Sequence, residues 1–147
     1  MRTVHSDDLK TTGTSQLFAC HDDGGSETAY PAMQSIFQDD FTEAVLMVDA
    51  LNAFNNSNRQ VSLLNIHDVC PANATVLTNC YWGQSPLFVQ GDMLLSLEGT
   101  TQGDPLAMAM FALASVLLLQ KVEIIGTKQA LFADDAASGG RLVRLRV

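Results

Sequence analysis

Along the chain the alternation of polar and apolar positions changes rhythm often enough to mark most element boundaries. Residues 1–25 are polar and rich in Gly, Ser and Asp, with DDGGS at 22–26, and read as a loop ending in an N-cap at Ser26. From Glu27 to Gln38, Ala29, Met33 and Phe37, together with Ala32 and Ile36, fall at spacings of four, the stripe of an amphipathic helix. Pro31 interrupts that stripe and is expected to kink the helix or delay its start. AVLMVD at 44–49 is a continuous apolar run that predicts a buried strand with Asp49 at its tip. A helix follows over about 57–66, with Val61 and Leu64 inward, and another starts at Pro71, where proline suits the first helical position. Ala72, Val76 and Cys80 mark the expected buried face of that second helix. LFVQGDMLL at 87–95 predicts a hairpin turning at Gly91-Asp92. Asp104 and Pro105 form a cap and first-turn pair ahead of LAMAMFALASVLLL, a helix of about four turns whose all-round apolarity places it under a sheet. QALFADDAASGG at 129–140 predicts a second hairpin with Asp134 and Asp135 at its turn. Strand, helices, hairpin, helix and hairpin in that order give an α+β fold, with helices packed on one face of a small antiparallel sheet.

Composition narrows the range of functions. With 147 residues, 47% of them hydrophobic, the chain can form one domain with a real core, and wholesale disorder is excluded. Sixteen acidic residues against eight basic ones give a net charge of -8, and Arg59 is the only basic residue between positions 11 and 120. Such a chain does not grip a polyanion unaided; partner segments or metal ions must supply the positive charge. Cys20, Cys70 and Cys80 contain no C-x-x-C pair and read as free packing thiols of a reducing compartment, in preference to a zinc site formed with His21 and His67. No secretory or transit peptide is recognisable, and the longest apolar run, Leu106 to Leu119, is too short for a bilayer. The protein is therefore expected to be intracellular, cytoplasmic or nuclear, neither secreted nor membrane-bound.

Candidate chemistry gathers at two strand ends. Asp49 closes one strand and Asp134-Asp135 sit at the turn of another, all among residues that favour burial, and the nearest cations to the acid pair in sequence are Lys128 and Arg141. Burying unpaired carboxylates is costly. A bound divalent cation is one resolution: oxygen-only ligands suit Mg2+ or Mn2+, and two such ions roughly 3.5–4 Å apart form the usual clamp for in-line displacement at phosphorus. The plain alternative is a capped turn beside a strand that ends in solvent. Phospho-acceptor receiver domains also gather three aspartates, but there the acidic pair comes first and a lysine late, the reverse of the order here.

VDALNAF at 48–54, EGTTQGDPLAM at 98–108 and FADD at 132–135 resemble, in the right order, motifs A, B and C of reverse transcriptases of eukaryotic retroelements. The resemblance covers roughly residues 41–140. GTTQGDPLAM is the most specific segment; the third motif is usually Tyr-x-Asp-Asp, where this chain has Phe132. The resemblance implies an RNA-directed DNA polymerase palm, a small antiparallel sheet backed by helices in a split βαβ arrangement, with 1–40 a remnant of the fingers and 41–147 the palm core. It implies that Asp49 and Asp134 hold two Mg2+ or Mn2+ ions, with Asp135 assisting and the Ala50 carbonyl as a further ligand. Phe54 becomes a steric gate against the ribose 2′-OH, with core packing as its alternative role. Gln102 and Gly103 line the nascent base-pair pocket, the glycine by allowing close backbone approach. Its implied partners are an RNA or DNA template with primer and deoxynucleoside triphosphates. Basic fingers and a thumb are incomplete or lacking in these 147 residues, so a truncated element copy is expected; the rival expectation is a catalytically silent relic or non-enzymatic binding module that keeps the palm fold.

Overall fold

AVLMVD forms strand β1 (Ala44–Asp49), but not the buried strand its unbroken apolar run predicts: it lies at the edge of its sheet, and Leu46, Met47 and Val48 are exposed among the described residues. The computed structural model describes residues 25–123 and 126–145; of the loop expected over 1–25, all but Gly25, including Cys20 and His21, lies outside them. Helix α1 (Gly25–Phe37) precedes β1 and takes in Ser26 rather than being capped by it. The delayed start at Pro31 does not occur, since the helix already begins at Gly25. The proline sits on an exposed face inside a continuous helix, which forgoes only the bond its missing N–H would have donated one turn back. After β1 come α2 (Ala53–Asn56), α3 (Arg59–Val69), α4 (Pro71–Tyr81), the hairpin strands β2 (Ser85–Val89) and β3 (Asp92–Ser96), α5 (Ala107–Glu123), β4 (Lys128–Phe132), β5 (Asp135–Gly140) and α6 (Leu142–Leu145). The fold is α+β, with helices and a small antiparallel sheet in the order β1-β5-β4. Among the described residues no helix is long and apolar enough to cross a membrane. These residues fall into two compact units, 52–115 in one and 25–51 with 116–145 in the other.

In the first unit, Asn58 rather than Ser57 caps α3, its side chain accepting from the Val61 amide. Both helical faces differ from expectation by about one residue. Val61 and Leu64 are exposed, and Arg59, Ser62, Leu63 and Ile66 turn inward instead. On α4, Ala72 and Cys80 are exposed and Val76 is half-buried, while Asn73, Ala74, Leu77 and Tyr81 are buried. The core joins Leu63, Ile66, Leu77 and Tyr81 to Met110 and Leu113 of α5, so the first half of α5 packs against α3 and α4. Cys70 belongs to this core and Cys80 is exposed; both are free thiols, and the exposed His67 does not share the burial of Cys70. The hairpin turns at Gln90-Gly91, one residue before the expected dipeptide, because Val89 pairs with Asp92. Both turn residues have positive φ, 53° and 93°, as a tight hairpin of this twist demands.

In the second unit, α1 lies on β4 and β5. Gly139 makes that contact possible, since a Cβ there would lie 2.1 Å from the Ile36 side chain. Buried Ala29, Ile36, Ala130 and Ala137 fill the interface. The second acidic hairpin forms, but its two-residue turn is Ala133-Asp134 and not the expected acid pair: Asp135 is already the first residue of β5, paired with Phe132.

Candidate functional site

Register puts the acids together. Asp49, the last residue of β1, lies directly opposite Asp135, the first residue of β5, and on the other side of Asp135 stands Phe132 of β4. Directly opposed residues share a face of the sheet. Asp135, Ala137 and Gly139 alternate onto the face that meets Ile36, so both carboxylates lie at one end of the face that α1 partly covers. Asp134 is half-buried in the adjoining turn, and its carbonyl accepts a hydrogen bond from the Ala50 amide at 3.4 Å, extending the strand ladder past Asp49. The turn is strained: Ala133 has φ +56°, a left-handed conformation in which a Cβ is unfavourable.

Asp49 and Asp135 are exposed rather than buried, and among the described residues neither carboxylate has a hydrogen-bond or ion-pair partner. Like charges directly opposed on a sheet destabilise it. Beside them runs a cleft of about 400 Å³ between α1 and the sheet, otherwise apolar, lined by Ala29, Met33, Met47, Ala130 and Ala137 among others. The donor chemistry fits a hard divalent cation: two opposed carboxylates with no base bonded to them among the described residues, and a third acid in the next turn. Asp135, rather than Asp134, faces Asp49 across the ladder, and among the described residues no three acidic, His or Cys side chains converge as one metal-holding group. The second unit thus brings together Asp49, Ala50, Asp134 and Asp135; Phe54, Gln102 and Gly103 belong to the first unit.

Phe54 is half-buried, its ring 4.6 Å from that of Phe111 on α5, so it has a packing contact whatever else it meets. Its carbonyl accepts from the Thr100 amide at 2.6 Å, and the Gly99 amide donates to Ser57 at 2.8 Å, which lays the start of the GTTQGDP segment against residues 54–57. Close approach requires glycine at Gly99: a Cβ there would lie 2.2 Å from the Phe54 carbonyl oxygen. At Gly103 the expected reason does not hold. A Cβ would meet nothing within 4 Å, and glycine is required instead by φ +89° in the turn closed by the Asp104 amide on the Thr101 carbonyl. Gln102 and Gly103 at that turn are exposed.

Two residues around this loop, Arg59 and Tyr81, were not singled out as functional from the sequence. Arg59 is 3% exposed, and its guanidinium donates to the carbonyls of Gly83, Ser96, Glu98 and Gly99 and to the Ser96 hydroxyl, at 2.7–3.0 Å. Tyr81 lies beneath it, 5.7 Å from guanidinium carbon to ring centroid, and donates its hydroxyl to Asp104. Burial, and then the adjacent Asp104 carboxylate, hold the Tyr81 hydroxyl well above the usual phenol range, so it stays protonated and donating. Asp104 accepts in addition from the Leu106 amide at 2.9 Å, the cap expected for α5, although the helix proper begins at Ala107 after one turn. The only sign in the sequence was that Arg59 is an isolated base amid apolar and neutral residues. No family model matches the chain, and no curated protein matches it in sequence.

Proposed function

We propose that this chain is the palm core of a reverse transcriptase, which copies a template into DNA by transferring deoxynucleotides to a primer 3′-OH. The observation that carries this reading is the meeting of Asp49 with Asp135 across the ladder, next to Asp134 in a strained turn, at the positions where the motif resemblance calls for catalytic acids. A strained turn beside opposed carboxylates that have no partner among the described residues is a cost that a merely structural hairpin has no reason to bear. On this reading the three-stranded sheet and α1 are part of a split βαβ palm, and residues 1–40 belong to the fingers. Asp49, Asp134 and Asp135, with the Ala50 carbonyl, would hold two Mg2+ or Mn2+ ions. Bound there, the ions would supply Lewis-acid stabilisation of the attacking and leaving oxygens.

The chain's own residues orient the reactants. The primer oxygen attacks the α-phosphate in line, and pyrophosphate leaves. Phe54 presents its ring to the sugar and excludes a 2′-OH by contact, while Gln102 and Gly103 meet the nascent base pair. Basic flanking segments outside these residues must hold the duplex, because a chain of net charge -8 repels it. Such an enzyme works inside the cell, in the cytoplasm or nucleus.

Grafting residues 41–140 into a complete reverse transcriptase tests the proposal. Template-directed extension should survive the graft and disappear on Asp49→Asn. A folded chimera that is inactive, or one whose activity persists without Asp49, would overturn the reading.

A further inference from the structure

The loop that carries Gln102 is held at both ends and free in the middle. At its first end, all five N–H donors of the Arg59 guanidinium are satisfied, and the carbonyls of Glu98 and Gly99 are among the acceptors. At its second end, Asp104 receives the Tyr81 hydroxyl and the Leu106 amide. Tyr81 joins the two ends, because the same ring lies under the guanidinium. Between them Gln102 and Gly103 occupy the centre of the Thr101–Asp104 turn, exposed, with open space where a Gly103 side chain would be. A buried cation is costly, and so is a buried tyrosine hydroxyl. Spending both on a seven-residue surface loop has a purpose if the apex must stay in one place.

We propose that Arg59 and Tyr81 are positioning residues: they clamp the segment from Glu98 to Asp104 so that Gln102 and the Gly103 amide are held out rigidly toward an incoming nucleotide. The clamp itself stands on the contacts above. Naming a nucleotide as what the apex meets rests on the reverse-transcriptase reading. A preorganised loop loses less freedom on binding, so loosening it weakens affinity without removing any contact to the ligand. Lysine at position 59 keeps the charge but cannot reproduce the planar five-donor fork. Phenylalanine at position 81 keeps the ring under the guanidinium and deletes only the bond to Asp104.

Amide hydrogen exchange and nucleotide titration on the full chain test the two parts separately. In Arg59→Lys, exchange at Gly99 to Asp104 should accelerate about tenfold or more while Ile66 and Leu77 in the core stay protected. Tyr81→Phe should accelerate the Asp104 end alone. Exchange that is unchanged in the loop, or raised equally in loop and core, would overturn the clamp. Titrating the unsubstituted chain with dATP and MgCl2 should shift the Gln102 and Gly103 resonances, and Arg59→Lys should weaken that binding several-fold with the core intact. Absence of shifts at Gln102 and Gly103 would overturn the nucleotide assignment, and the proposed polymerase reading with it, whatever the exchange experiment says of the clamp.

Discussion

Replacing Asp135 by asparagine removes one of two carboxylates that face each other across the β1–β5 ladder with no partner described for either. Side chains directly opposed in an antiparallel pair lie ~5 Å apart. At that distance two unit charges in a watery environment repel by about 0.8 kcal/mol, and screening at physiological ionic strength roughly halves this. Asparagine is nearly isosteric and sits at the exposed end of its strand, so little packing is lost. In EDTA, Asp135→Asn should therefore be more stable than the unsubstituted chain by about 0.4 kcal/mol, or roughly 1–2 °C in thermal midpoint, and the gain should grow as salt is lowered. Saturating Mg2+ should reverse the order: at a concentration 100 times Kd it stabilises a binding-competent fold by about 2.7 kcal/mol, and the variant forgoes most of that. The assay is a thermal melt of both proteins in EDTA and in Mg2+, each at two salt concentrations. A variant less stable than its parent in EDTA would show that the two carboxylates do not repel as their register requires. Equal Mg2+ stabilisation of both chains would move the metal site elsewhere.

Gly99→Ala should destabilise by more than the roughly 1–2 kcal/mol of an alanine forced to positive φ, because its Cβ would also strike the Phe54 carbonyl; urea unfolding measures it. The raised pKa of Tyr81 makes stability fully present below the unfolded tyrosine value of about 10 and lost as pH rises through the higher folded value. Tyrosinate absorbance of the folded chain should therefore show one late-ionising group, and Tyr81→Phe should abolish that late step. Phe54→Ala should cost about 2 kcal/mol, less than the roughly 3–5 of a fully buried phenylalanine, with a coupling to Phe111 of about 0.5–1.5 in a double-mutant cycle. In the active chimera the same change should raise ribonucleotide use relative to deoxynucleotide use, and an unchanged ratio would leave Phe54 with packing alone.

Local chemistry was legible wherever it is set by residues close in sequence. AVLMVD reads as a strand, Pro71 as a helix start and Asp104 as a cap because each depends on its immediate neighbours, and the structure keeps all three. The apolar runs likewise placed Asp49 at a strand tip and Asp134-Asp135 at a hairpin turn before any pairing was known. Rotation of α3 and α4 was another matter. RQVSLLNIHDV offers apolar residues over a wide arc, and the face that turns inward is the one containing Arg59, whose acceptors lie 24–40 residues away. Once Arg59 is inside, positions 62, 63 and 66 follow by helical geometry, and Val61 and Leu64 must face out. Tyr81, needed beneath the guanidinium and beside Asp104, turns α4 by the same logic.

The α+β class, most strands and helices, Asp49 at a strand tip and the acid pair at a hairpin were legible from the chain alone, because period and capping are short-range. Folding had to settle that Asp49 faces Asp135, that the first hairpin turns at Gln90-Gly91, and that an isolated arginine anchors the Gln102 loop. Register and buried polar partners are long-range choices: a slip of one residue leaves the local pattern almost unchanged, yet it sends every side chain to the other face.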